Sequence, residues 1–130
     1  IAAVEDALSR AQLRFTRLPV AAAFHSPLVA GAADAFAAAL KQSPIAAGRF
    51  PVWSNKGASP YALDGADLRT NLADQIASPV RFRECIEGMI AAGVRTFVEL
   101  GPDSRLSGMV QRIASAYAPA LDIEVVALDA

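Results

Sequence analysis

Cysteine, histidine and tryptophan each occur once in the 130 residues, as Cys85, His25 and Trp53. A lone thiol cannot close an internal disulfide, which removes the disulfide-framed secreted folds. One cysteine and one histidine cannot compose a Cys/His zinc set, so no metal site is expected. Net charge is scarce as well: 12 basic side chains against 13 acidic ones leave −1. That balance gives no global attraction to nucleic acid or to an anionic membrane, and neither is expected as a partner. Long apolar runs are missing. The longest candidate, Leu18 to Phe24, is broken by Pro19 and stops at His25, well short of the roughly 18 residues that cross a bilayer. Glycine and proline number 8 each, which excludes collagen-like and low-complexity chains. No charged start leads into an apolar stretch, so no secretory leader is expected and the location is read as cytoplasmic.

What is there is apolar side chain, 54% of the residues, enough to build one folded unit around a core. The chain opens at Ile1 inside a helical pattern, so it is expected to be a piece of a longer protein. Val4, Leu8 and Ala11 place a helix over Ala2 to Gln12. Arg14 to Phe24 reads as a strand, with Pro19 marking an edge or a bend. Ser26 is the predicted N-cap, and Pro27 the first turn, of a helix running to Lys41. Phe50 to Ser54 reads as a short strand and Asn55 to Pro60 as a turn. Leu63 to Ile76 is a predicted helix, and Ser78-Pro79 is the predicted start of the next, which Gly93 ends. Thr96 to Leu100 reads as a buried strand, followed by a turn at Gly101-Pro102, a helix from Asp103 or Ser104, and a last strand over Ile123 to Leu128. This alternation predicts an α/β fold with a mostly parallel sheet.

The residues able to do chemistry are few. His25 is the only imidazole, placed at a strand end where side chains emerge into a crevice, and its unperturbed pKa of about 6.5 suits a general base. Ser26 beside it makes a poor nucleophile, because adjacent strand residues point to opposite faces. No G-x-S-x-G elbow occurs in the chain. A base needs an acceptor on its other ring nitrogen, and a backbone or side-chain carbonyl at Asn55 could provide one; an asparagine that merely opens a turn is the plainer alternative. Glu99-Leu100-Gly101-Pro102 has a single glycine and reads as a tight structural turn rather than a nucleotide site. Lys41 and Lys56 are the only lysines, so arginine dominates the cations. Arg14, Arg17, Arg81 and Arg83 could meet an acidic partner or a CoA-type phosphate, or simply face solvent.

Three segments together resemble one family. Leu18-Pro19-Val20-Ala21-Ala22-Ala23-Phe24-His25-Ser26-Pro27-Leu28 is similar to the histidine signature of malonyl-CoA:acyl-carrier-protein transacylases and of the acyltransferase domains of fatty acid and polyketide synthases. Phe50-Pro51-Val52-Trp53-Ser54-Asn55 and the stretch from Ser78 to Glu87, with Gly93 to Pro102, resemble the segments that follow in that family. The resemblance implies transfer of a malonyl-type acyl group from CoA to the phosphopantetheine thiol of an acyl carrier protein through an acyl-serine. It implies no tightly bound cofactor, with acyl-CoA as donor substrate. His25 matches the catalytic histidine, Asn55 lies at or beside the main-chain carbonyl that orients it, and Ala23 and Phe24 match positions of the acyl pocket. Phe24 beside His25 resembles the malonyl-type pair of that family, which implies a ring filling the volume an α-methyl would need.

Several positions depart from the family pattern. Ala22 stands where another histidine is frequent, Lys56-Gly57 replaces Val-Thr, and Asp103-Ser104-Arg105 replaces Gly-Lys-Val. The resemblance further implies that residues 1–20 are the last helix and strand of a ferredoxin-like small subdomain. Residues 21–130 would then be the C-terminal part of the large α/β-hydrolase-like subdomain. The nucleophilic serine is expected in an N-terminal remainder outside this chain, so the isolated chain is expected to be inactive. The rival reading is a non-catalytic module that docks a carrier protein or a partner chain.

Overall fold

In the computed structural model, residues 1–17, 19–20, 22–46, 48–61 and 65–128 are described. The order is helix α1 (Ala2–Arg10), a 3₁₀ turn (Pro27–Val29), α2 (Ala30–Lys41), a hairpin of β1 (Trp53–Ser54) and β2 (Ser59–Pro60), and α3 (Gly65–Gln75). There follow α4 (Phe82–Ala91), β3 (Thr96–Leu100), a second 3₁₀ turn (Pro102–Ser104), α5 (Ser107–Tyr117) and β4 (Glu124–Leu128). Among the described residues no helix is long and apolar enough to cross a membrane.

The fold is α/β, but its described sheets are small. β3 and β4 pair in parallel, with Phe97 opposite Val125 and Leu100 opposite Leu128. The crossover between them is α5, the helix a parallel pair needs to return the chain. β1 and β2 pair antiparallel, Trp53 with Pro60 and Ser54 with Ser59. The core lies where α4 and α5 cover one face of the parallel pair. Ile86, Ile90, Val110 and Ala114 are buried there, with Phe82, Met89, Phe97, Ile123 and Val125 against them. Ile90 is 2% exposed, so its burial stabilises by about 1.5–3 kcal/mol. Alternation along β3 turns Phe97 and Glu99 inward and leaves Thr96, Val98 and Leu100 exposed.

Three expectations need correction. No described residue of the stretch from Arg14 to Phe24 is in a strand; Leu18 and Ala21 lie outside the described residues. A strand exists only through a ladder partner, and among the described residues none pairs with this segment. β3 is not buried on both faces, since Leu100 is 79% exposed. Finally, α4 starts at Phe82 and not at Ser78-Pro79. The Arg81 N–H donates to the Asn55 carbonyl at 2.9 Å, which holds Arg81 outside helical geometry. The Ser78 hydroxyl donates backward to the Asp74 carbonyl at 2.7 Å, closing α3 instead of opening α4. Gly93 does end α4, at a φ of +99° that side chains other than glycine adopt at a cost.

Candidate functional site

His25 lies between the start of the Pro27 turn that leads into α2 and the end of α3. On its C-terminal side Ser26 caps the Pro27 turn: its hydroxyl oxygen accepts the Leu28 N–H at 3.4 Å and its O–H donates to the Ala23 carbonyl at 2.6 Å. Both capacities of that hydroxyl are used for local structure, which leaves it no nucleophilic part. His25 itself has φ +59°, a left-handed conformation in which histidine is among the better-tolerated residues.

The other side is the C-terminus of α3. The last carbonyls of a helix have no intrahelical donor, and two of them take His25. The Ile76 carbonyl accepts the His25 backbone N–H at 3.1 Å, and the Gln75 carbonyl lies 3.0 Å from Nδ1 of the ring. A carbonyl only accepts, so Nδ1 carries the proton in this contact and Nε2 presents its lone pair. The ring is exposed, so Nε2 is open to a reacting group.

Asn55 is not the orienting residue. Its carbonyl takes the Arg81 N–H, and its side-chain oxygen faces the Cys85 thiol at 3.6 Å. Both oxygens are directed at α4, because β1 delivers Asn55 into the turn that α4 packs on. Gln75 escaped the sequence reading, since it acts through a peptide carbonyl that every residue owns. The available signal was its place in the last turn of a predicted helix. Phe24, 61% exposed, and Ala23, also exposed, stand immediately before the histidine.

Around this pair the supports are polar. The buried Ser54 hydroxyl donates to Asn71 of α3 at 3.1 Å, and the Ser54 carbonyl accepts from the Cys85 thiol of α4 at 3.3 Å. Burial pushes the Cys85 thiol pKa up, as desolvation of a thiolate requires. Lys56 pairs with Asp74 in the last turn of α3. Arg17, Arg81 and Arg83 each face a carboxylate of this chain, Glu5, Glu84 and Glu87, so these guanidinium groups are not a bare phosphate cradle. Glu99 accepts from the Leu106 N–H and from both the N–H and the hydroxyl of Ser107. The turn after β3 is therefore a structural cap on α5. No group of three or more metal-binding side chains occurs among the described residues.

No family model matches the chain. It is 41% identical over 96 residues to a malonyl CoA-acyl carrier protein transacylase of Bacillus subtilis, covering 74% of this chain and 30% of that protein. A polyketide biosynthesis malonyl CoA-acyl carrier protein transacylase of Bacillus velezensis is 37% identical over 99 residues, covering 76% of this chain and 34% of its own length. The crystal structure of a malonyl CoA-acyl carrier protein transacylase from Clostridium perfringens superposes with a TM-score of 0.84 at 30% identity, over 98% of this chain and 39% of that one. The chain thus spans about a third of the length of the relatives it matches.

Proposed function

From the membership of this chain in the malonyl-CoA:acyl-carrier-protein transacylase family, about a third of whose length it spans, we propose that it supplies the general base of an acyl transfer. The observation that carries the reading is the His25 ring held by its Nδ1 on the Gln75 carbonyl. The nucleophile is a serine outside this chain. Nε2 of His25 takes the serine proton as the hydroxyl attacks the malonyl thioester, then delivers it to the departing CoA thiolate. In the second half it takes the proton of the phosphopantetheine thiol and returns it to the serine as the acyl group leaves. The Gln75 carbonyl stabilises the imidazolium formed between those transfers, as a carboxylate does in other triads. Ala23 and Phe24 form part of the acyl pocket wall, and Phe24 limits branching next to the thioester.

Malonyl-CoA, an acyl carrier protein and the N-terminal remainder of the transacylase are the partners in this proposal. Residues 1–20 belong to a small ferredoxin-like subdomain and residues 21–130 to the large α/β-hydrolase-like one. In the longer transacylase, His25→Ala lowers acyl transfer by about 10²–10⁴-fold, measured as malonyl transfer to carrier protein. Near-wild-type turnover would remove His25 from the mechanism. The 130-residue chain alone, given labelled malonyl-CoA, forms no covalent acyl adduct; a stoichiometric adduct would place the nucleophile within it.

A further inference from the structure

Gln75 has a side chain whose chemistry the base does not use. Its Nε2 donates to the Ser78 carbonyl at 3.2 Å and to the Pro79 carbonyl at 3.4 Å. Its Oε1 is buried and has no hydrogen-bond partner among the described residues. An unmatched buried amide oxygen is costly, and a methionine of similar length would avoid that cost. The amide is explained by what its two N–H groups do. Both reach past the end of α3 and fold residues 76–79 back beneath the last helical turn. The same turn is closed by the Ser78 hydroxyl on the Asp74 carbonyl at 2.7 Å and by the Ser78 N–H on the Gln75 carbonyl at 3.2 Å. Helix ends fray when such partners are lost. The two carbonyls exposed by this turn, Gln75 and Ile76, are the ones that hold His25.

We infer that the side-chain amide of Gln75 is a positioning group for His25, fixing the turn whose carbonyls select the Nδ1–H tautomer of the imidazole. Its functional meaning rests on the reading of His25 as the base, but its test does not. His25 is the only histidine, so long-range ¹H–¹⁵N spectra of the labelled full chain report its tautomer without ambiguity. They are recorded at alkaline pH, and the two one-proton tautomers are compared there.

A free histidine side chain in water favours the Nε2–H form, and the wild-type chain shows mainly Nδ1–H. Gln75→Met removes both donors and the orphaned oxygen. Gln75→Glu keeps the shape but turns a carboxylate on two carbonyls. In both, the ratio of Nδ1–H to Nε2–H falls roughly five- to tenfold, the scale of one net hydrogen bond. The methionine variant keeps its amide dispersion and its Tm to within a few degrees. An unchanged ratio in either folded variant overturns the proposal. Unfolding of both variants overturns it as well, since Gln75 would then be a stability residue. A shifted tautomer alongside an active His25→Ala transacylase would leave the positioning role intact and remove the base.

Discussion

Phe24 separates what a side chain does from where it stands. Its ring immediately precedes His25 and is 61% exposed, so it takes no part in the core of this chain, and the pocket-wall role proposed above is open to a direct test. Phe24→Ser in that protein raises methylmalonyl transfer relative to malonyl by about tenfold or more, the usual worth of one methyl-sized volume, checked by competition between the two CoA esters. An unaltered ratio would take Phe24 out of the pocket. His25 could be singled out in the sequence because imidazole is rare chemistry and occurs once. Its acceptor was not legible, because a peptide carbonyl carries no side-chain identity. Asn55 looked suitable by its polar side chain, yet both of its oxygens are committed to Arg81 and Cys85.

Elements were legible where a single segment carries its own pattern. β3 runs over the residues that its β-branched and aromatic content predicted, and α5 follows the apolar spacing of Val110 and Ile113. The start of α4 was misread because a capping serine looks the same whether its hydroxyl points forward or back. Packing between elements sets two further expectations. Gly88 lies on α4 under the ring of Trp53 from β1; a Cβ there would fall 2.5 Å from one ring carbon and 2.7 Å from the next. Gly88→Ala therefore destabilises by about 1–3 kcal/mol, read as a lower urea midpoint with an unchanged slope. The cap on α5 gives a pH dependence. Hydrogen bonds from the Ser107 hydroxyl and the Leu106 N–H hold the Glu99 pKa below the usual carboxylate range. A depressed carboxylate stabilises the fold fully above its unfolded pKa of about 4.3, and that contribution is lost as pH falls through the lower folded value. Wild-type Tm accordingly exceeds that of Glu99→Gln near neutrality, and the gap closes as acid protonates Glu99. A gap that persisted undiminished into strong acid would rule out the charge as its source.

At the scale of the whole molecule the outer face of the parallel pair stands open: Val98 is 52% exposed, Leu100 79% and Leu128 52%. Parallel strands normally have both faces covered, and an apolar patch of this kind promotes association. Leu100→Lys reduces concentration-dependent self-association in sedimentation velocity and changes stability by no more than about 0.5 kcal/mol. Equal association of both proteins would move the sticky surface elsewhere. This is also where the sequence was least informative. Thr96 to Leu100 has the composition of a doubly covered strand, and composition does not say which segment covers it. The stretch from Arg14 to Phe24 has strand-like residues, and strand formation depends on a neighbour remote in sequence.

Arg69 links the scales. Its guanidinium donates from Nε to the Leu40 carbonyl at 3.0 Å, from Nη2 to Ser43 at 2.9 Å and from Nη1 to Gly65 at 3.0 Å, binding the end of α2 to the body of α3. The chain leaves His25 through α2, crosses to α3 by this guanidinium, and comes back to His25 through the Gln75 and Ile76 carbonyls. The path is a closed mechanical circuit with the imidazole as its clasp. Three hydrogen bonds from Arg69 clamp one end of the circuit and two carbonyls on His25 clamp the other, so the imidazole and its acceptor belong to one frame built from both helices.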